Sequence, residues 1–210
     1  EAGVRQHRGL LADEDVTTVF GVEVSSPIRA VLEVSTLASV ESTLVVANHL
    51  LACGALTADD LVSRYDEQMD RWPGSLTTRL VLGLLEPKVE SVGESRLLYF
   101  LWRHGFAGAL AQLEIEDRGR ILARLDCALP DLGVWLEFDG RVKYERHLRP
   151  GESPADAVLR EKRREEMVAE LTGWRCLRVS WADLDRPDDL EARLRRLVDS
   201  VARQRRSGAV

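Results

Sequence analysis

The chain has 210 residues, 45% of them apolar, enough for one large or two small domains with real cores and too many for a disordered or fibrous protein. The longest apolar stretch, Thr43 to Leu56, is broken by Asn48, His49 and Gly54 and falls short of the ~20 residues a bilayer span needs, so no membrane association is expected. A net charge of −6 speaks against a uniformly basic nucleic-acid binder, but the charge is uneven: residues 1–90 carry seven Lys and Arg against fourteen Asp and Glu, residues 141–181 carry ten against seven, and residues 191–210 carry six against two. A phosphate backbone would therefore be met by the C-terminal half.

The first 90 residues are expected to be mainly helical. Val16 to Val24 is β-rich, and Ser25-Ser26-Pro27 then offers an N-cap followed by proline in the first turn of a helix. Ser39 caps a second helix that ends at Gly54, and Thr57 with Asp60 starts a third. Pro73-Gly74 breaks the chain before a segment from Leu76 to Leu85. The stretch from Glu86 to Val92 is the expected boundary, giving a helical region at 1–90 and a second domain at 91–210. There is no internal repeat and no low-complexity segment.

From Ser91 the pattern changes. Ser91 and Glu94 form a capping box, Leu97, Leu98, Leu101 and Trp102 recur at helical spacing, and Gly105 can close the helix. Three strand-like runs follow, Gln112 to Glu116, Ile121 to Leu129 and Val134 to Asp139, separated by Asp117-Arg118-Gly119 and Pro130-Asp131-Leu132-Gly133. Ala155 to Leu171 reads as a charged helix stopped by Gly173, Trp174 to Trp181 as a fourth strand, and Pro187 to Gln204 as a last helix with Leu190, Leu194, Leu197, Val198 and Val201 on one face. That face could cover its own domain or a second copy of the chain. The order α-β-β-β-α-β-α predicts an α/β (α+β) domain, a mixed sheet flanked by helices.

The second hairpin carries the chemistry. With Pro130 to Gly133 as a four-residue loop, Leu129 pairs with Val134, and counting outward brings Asp126 opposite Glu137. Paired Cβ atoms lie ~4.5–5.5 Å apart, close enough for two carboxylates to share a cation. Alternation sets Trp135, Glu137 and Asp139 on one face and Val134, Leu136 and Phe138 on the other. The plainer alternative makes Glu137 and Asp139 the solvent face of an edge hairpin, with Asp139-Gly140 ending the strand. Opposed like charges destabilise a strand pair unless a cation sits between them, which favours the site. Glu94 is a second-tier candidate, because its capping role already accounts for it.

Four blocks in order, Arg124-Leu125-Asp126, then Trp135 through Tyr144 with Glu137-Phe138-Asp139-Gly140-Arg141-Val142-Lys143 at its centre, then Glu161-Lys162-Arg163-Arg164-Glu165, then Gly173 through Val179, resemble the very-short-patch-repair-like branch of the PD-(D/E)xK nuclease superfamily. Glu94-Ser95-Arg96-Leu97 resembles the first helix of that domain in actinobacterial proteins. Upstream, Val22 to Leu32, including Ser26-Pro27-Ile28-Arg29, is similar to a region of AbiEi-type antitoxins.

The resemblance implies a restriction-endonuclease-like fold and a DNA endonuclease dependent on Mg2+ or Mn2+. It implies Asp126 and Glu137 as metal-binding acids and Lys143 or Lys162 beside the attacking water, while Asp139 and Glu94 stand as further candidate ligands from the residue pattern. Arg141, Arg163, Arg164 and Arg175 are the candidate DNA-binding residues. The superfamily lysine, expected two residues after Glu137, is replaced by Asp139. That departure supports the alternative of a catalytically silent regulator of the antitoxin type, binding DNA, a cognate toxin or itself. His147, in a polar loop, could contribute. The three cysteines, Cys53, Cys127 and Cys176, lack disulfide or zinc spacing, and no export leader is recognised, so a reducing cytoplasm is expected. Residue 1 is Glu rather than Met, as expected of a piece of something longer.

Overall fold

The computed structural model describes residues 11–69, 72–140 and 153–207, which divide into two compact units, Glu1–Leu85 and Glu86–Val210. Lys143, Arg141 and His147 lie outside the described residues. Among those described, no helix is long and apolar enough to cross a membrane.

In the first unit the β-rich segment is a hairpin, β1 (Val16–Val19) and β2 (Val22–Ser25), closed by Phe20 and Gly21, both with positive φ. Two such residues in a two-residue loop match the right-handed twist of the flanking strands. Four helices follow, α1 (Pro27–Leu37), α2 (Val40–Ala52), α3 (Ala58–Gln68) and α4 (Ser75–Leu82). The hydroxyls of Ser26, Ser39 and Thr57 each accept a main-chain N–H from the first turn of α1, α2 and α3, satisfying donors that a helix start leaves open. Val31, Leu32, Ala47, Leu56, Leu61, Tyr65 and Met69 form the core.

That core is laced to the segment before β1 by charge. Asp15 is buried and takes Arg29 Nη1 at 3.1 Å and Arg64 Nη2 at 2.7 Å, while Arg29 also bonds Glu33 and stacks over Trp72. Arg29 of the Ser26-Pro27-Ile28-Arg29 run is therefore a structural tie.

The second unit begins with α5 (Val92–Arg103), capped by Ser91. Its four-stranded sheet has the order β3-β4-β5-β6, built from β3 (Leu110–Asp117), β4 (Arg120–Leu129), β5 (Val134–Asp139) and β6 (Arg175–Ser180). β3, β4 and β5 are antiparallel neighbours, whereas β6 runs parallel to β5 after a crossover that includes α6 (Pro154–Thr172). A short α7 (Trp181–Leu184) and a long α8 (Pro187–Ser207) complete it. The architecture is a mixed α+β fold.

Each face of the sheet has its own helical cover, so β5 is apolar on both sides. Val134, Leu136, Phe138, Cys127, Leu129 and Val179 pack with α5 and with Leu190, Leu194 and Val201 of α8. The stripe on α8 thus covers its own domain. On the opposite face Trp135, Leu125 and Ala128 meet Val168 of α6. Glu137 shares the parity of Trp135, which turns it toward α6.

Candidate active site

The β4–β5 connection holds Asp126 and Glu137 near each other. Pro130–Leu132 forms a single tight turn and Gly133 adopts a left-handed conformation, so Leu129 pairs with Val134 as the loop length implies. The paired register continues to Cys127 and Leu136 and stops there, one rung short of Asp126 and Glu137. The expected direct opposition is replaced by a different bond: Asp126 Oδ2 accepts the main-chain N–H of Phe138 at 2.8 Å.

The local cause is a break in alternation. Leu125 and Ala128 both join the cluster beneath α6 while Cys127 packs on the opposite face, so the alternation slips by one residue around Asp126, which lines a pocket with Arg164. On the neighbouring strand Gln112 lies between the rungs Ala111–Cys127 and Leu113–Leu125, with a φ of 51° that is rare for a residue bearing a side chain. Strain of this kind persists where surrounding contacts hold it, and the Gln112 amide is held by Glu94 Oε2 at 2.8 Å.

Asp126 and Glu137 line one cavity of about 260 Å³. Asp139, Glu161, Arg124, Arg160, Arg164 and Arg178 complete its charged wall, and Phe138 and Ala157 supply its apolar part. The wall therefore carries four carboxylates and four guanidiniums. Arg164 reaches Glu137 Oε2 at 3.0 Å and Glu161 Oε1 at 2.8 Å with Nη2, and donates Nη1 to the carbonyl of Arg124 at 3.1 Å. Arg178 bridges Glu161 and Glu165, and Arg124 pairs with Glu90.

Two buried atoms of this network have no hydrogen-bond partner, Glu137 Oε1 and Arg164 Nε. Burial lifts the Glu137 carboxyl above its ordinary range and Asp126 adds to the effect, with Arg164 pulling the other way. Burial alone would also raise Glu161, but the hydrogen bond and charge of Arg164, with Arg178, bring it below its ordinary value.

The other sequence candidates are placed elsewhere. Glu94 is buried, with one oxygen accepting from Ser91 Oγ and the other from the Glu90 N–H and Gln112, and it does not line the pocket. Lys162 is exposed and lies 3.9 Å from Glu166, and Arg163 is also exposed; neither lines the pocket. Arg175 sits beside Val134 at the other end of β6, within reach of Ser200, because the parallel register gives Arg178 the place next to Glu137. Of the four arginines singled out from sequence, Arg164 lines the cavity; Arg124, Arg160 and Arg178 were missed. A signal existed for Arg160, in its four-residue spacing from Arg164 on one helix; Arg178 had none within its own strand, because its place beside Glu137 comes from the parallel register.

Two proteins of Mycobacterium tuberculosis match this chain: uncharacterized protein MT2308 of strain CDC 1551 / Oshkosh and uncharacterized protein Rv2248 of strain ATCC 25618 / H37Rv. Each is 29% identical over 159 residues, covering 75% of this chain and 54% of the relative. The chain spans about half the length of these curated relatives. No family model and no solved structure matches it. A functional reading therefore rests on the chemistry of the pocket.

Among the described residues no group of three or more His, Cys, Asp or Glu side chains is arranged to hold a metal ion. The four-acid set of Glu94, Asp126, Glu137 and Asp139 is thus not gathered. Two carboxylates suit a hard cation that keeps several waters and takes further oxygens from a phosphate, and Glu137 keeps one oxygen, Oε1, without a hydrogen-bond partner.

Proposed function

We propose that the second unit binds and hydrolyses a DNA phosphodiester with the help of Mg2+ or Mn2+ held by Asp126 and Glu137. The observation that carries this reading is that Asp126 and Glu137 line one pocket walled by four arginines, with one oxygen of Glu137 buried and without a hydrogen-bond partner. Burying a carboxylate without full compensation is costly and is tolerated where a ligand supplies the missing partner. The bound cation would supply Lewis acidity and a coordinated water of lowered pKa.

The chain's own residues do the rest. The Phe138 N–H fixes the Asp126 carboxylate against rotation. Guanidiniums of Arg124, Arg160 and Arg178 on the wall present planar donors that match phosphate oxygens, which orients the backbone without reading its sequence. The resemblance to very-short-patch-repair-like nucleases points the same way.

A second reading is a protein that grips a phosphate backbone without cutting it, in the manner of an antitoxin-type regulator. It is favoured by Arg164, which already neutralises Glu137, and by the absence of any lysine from the pocket wall among the described residues. Incubation of plasmid, duplex and single-stranded oligonucleotides with the protein and Mg2+ or Mn2+ separates the two. Metal-dependent cleavage that falls on the order of a hundredfold or more in Asp126→Asn and Glu137→Gln supports hydrolysis. Salt-sensitive binding with no cleavage supports the regulator, and cleavage indifferent to both substitutions removes the active site from this pocket.

A further inference from the structure

We infer that Arg164 is an exchangeable cation: it neutralises Glu137 in the metal-free protein and is released to a phosphodiester oxygen when a divalent cation takes its place, so that metal and phosphodiester bind together. This rests on the metal-site reading above. Three features of the pocket carry it.

First, the wall holds four acids and four arginines, so with every group ionised the metal-free pocket has no formal excess charge with which to attract a phosphate. A divalent cation at Asp126 and Glu137 leaves two positive charges uncompensated, which a phosphodiester and the surrounding ion pairs can then redistribute. Second, Arg164 is the guanidinium on Glu137, at 3.0 Å, and it occupies the electrostatic position that a metal would take. Third, Arg164 is not fully committed where it stands. Its Nε is buried without an acceptor, and one nitrogen, Nη2, serves both Glu137 and Glu161. Glu161, three residues earlier on α6, tethers the guanidinium at 2.8 Å, so release from Glu137 does not send it into solvent. Arg164 lines the cavity, and its planar fork is suited to a tetrahedral anion that brings two oxygens.

Reciprocity gives the test. If the two ligands favour the same arrangement of Arg164, each raises the affinity of the other by the same factor. Mn2+ binding is measured by calorimetry on the full chain, alone and with dimethyl phosphate, the smallest phosphodiester, for the unaltered protein, Arg164→Gln, Arg164→Lys and the exposed control Arg196→Gln. Arg164→Gln removes the competing cation and is expected to bind Mn2+ roughly tenfold more tightly, while losing the gain in Mn2+ affinity that dimethyl phosphate confers on the unaltered protein. Arg196→Gln is expected to match the unaltered protein in both measurements.

Equal Mn2+ affinity in Arg164→Gln and the unaltered protein, or a phosphate effect that survives in Arg164→Gln, overturns this inference and leaves the metal site standing. Absence of Mn2+ binding in every protein overturns the metal-site reading itself and this inference with it. Arg164→Lys keeps the charge but loses the fork, so it is expected to hold Mn2+ like the unaltered protein with a smaller phosphate effect. An undiminished phosphate effect in that folded variant is sufficient to overturn the inference.

Discussion

The carboxylate of Asp126 accepts the main-chain N–H of Phe138 at 2.8 Å, so the acid on β4 is bonded to the strand that carries Glu137 while both side chains line one cavity. One oxygen is thereby engaged in strand structure. Asp126 thus has a structural bond as well as a place in the pocket, and the two are separable by substitution. Asp126→Asn keeps an oxygen that can accept from Phe138 and removes the charge; Asp126→Ala removes both. Urea denaturation is expected to place the Ala variant about 1–3 kcal/mol below the Asn variant, the cost of leaving a buried N–H without an acceptor. Equal stabilities would mean that the bond to Phe138 contributes nothing to folding.

Gly93 governs the ring next to the site. A Cβ built on it would fall inside the van der Waals envelope of the Phe138 ring, which also makes an edge-on contact with Trp181 at 4.7 Å between centroids. Gly93→Ala must therefore push Phe138 away from α5. A loss of about 1–3 kcal/mol is expected, the usual cost of overpacking a core, together with a changed tryptophan emission from Trp181. Unchanged thermal stability in that variant would show that the ring yields at no cost.

Acid stability should report the first unit through Asp15. Burial works to raise its pKa, but the Ala12 N–H, Arg64 and Arg29 outweigh burial and lower it below the ordinary value of 3.8. A lowered folded-state pKa means stabilisation that is present above the unfolded value and lost as the pH falls through the folded one. Asp15→Asn is expected to cost about 3–5 kcal/mol near neutrality, because Arg29 and Arg64 lose their shared counter-charge. The difference from the unaltered protein should shrink below pH 3.8, as measured by thermal melts across the acid range. A gap that stays constant to the lowest pH would contradict the ion-pair account.

The cysteines should separate by burial. Cys127 is buried and Cys176 half-buried, and burial pushes both thiols well above their ordinary pKa; Cys53 is exposed. Since the thiolate is the reactive form, a thiol reagent at neutral pH is expected to titrate Cys53 alone in the folded protein and all three after denaturation. Rapid reaction of a second thiol before unfolding would show that the sheet opens locally around β4 or β6.

Local chemistry made much of the second unit legible. The Pro130–Gly133 loop predicted the rung Leu129–Val134, and the alternation in β5 predicted that Trp135 and Glu137 share a side; both are seen. Helix starts at Ser26, Ser39, Thr57 and Ser91 were readable because a hydroxyl cap is a contact between near neighbours. The break around Asp126 was not, since it lies across from Gln112, a residue of another strand whose positive φ no local pattern announces. Nor was the whole cationic wall of the pocket. Arg178 is set beside Glu137 by the parallel pairing of β6 with β5, and no spacing within either strand encodes that register.

Val168 and Arg164 lie one helical turn apart on α6, the first against Trp135 in the core and the second against Glu137. The azimuth of the helix is thus keyed by an aliphatic contact, and the guanidinium inherits its aim from it. A slip of one residue along the axis would swing Arg164 through roughly 100° and off its acid. Marksmanship in this pocket is consequently a property of the greasy side of α6, one turn away from any charge it directs.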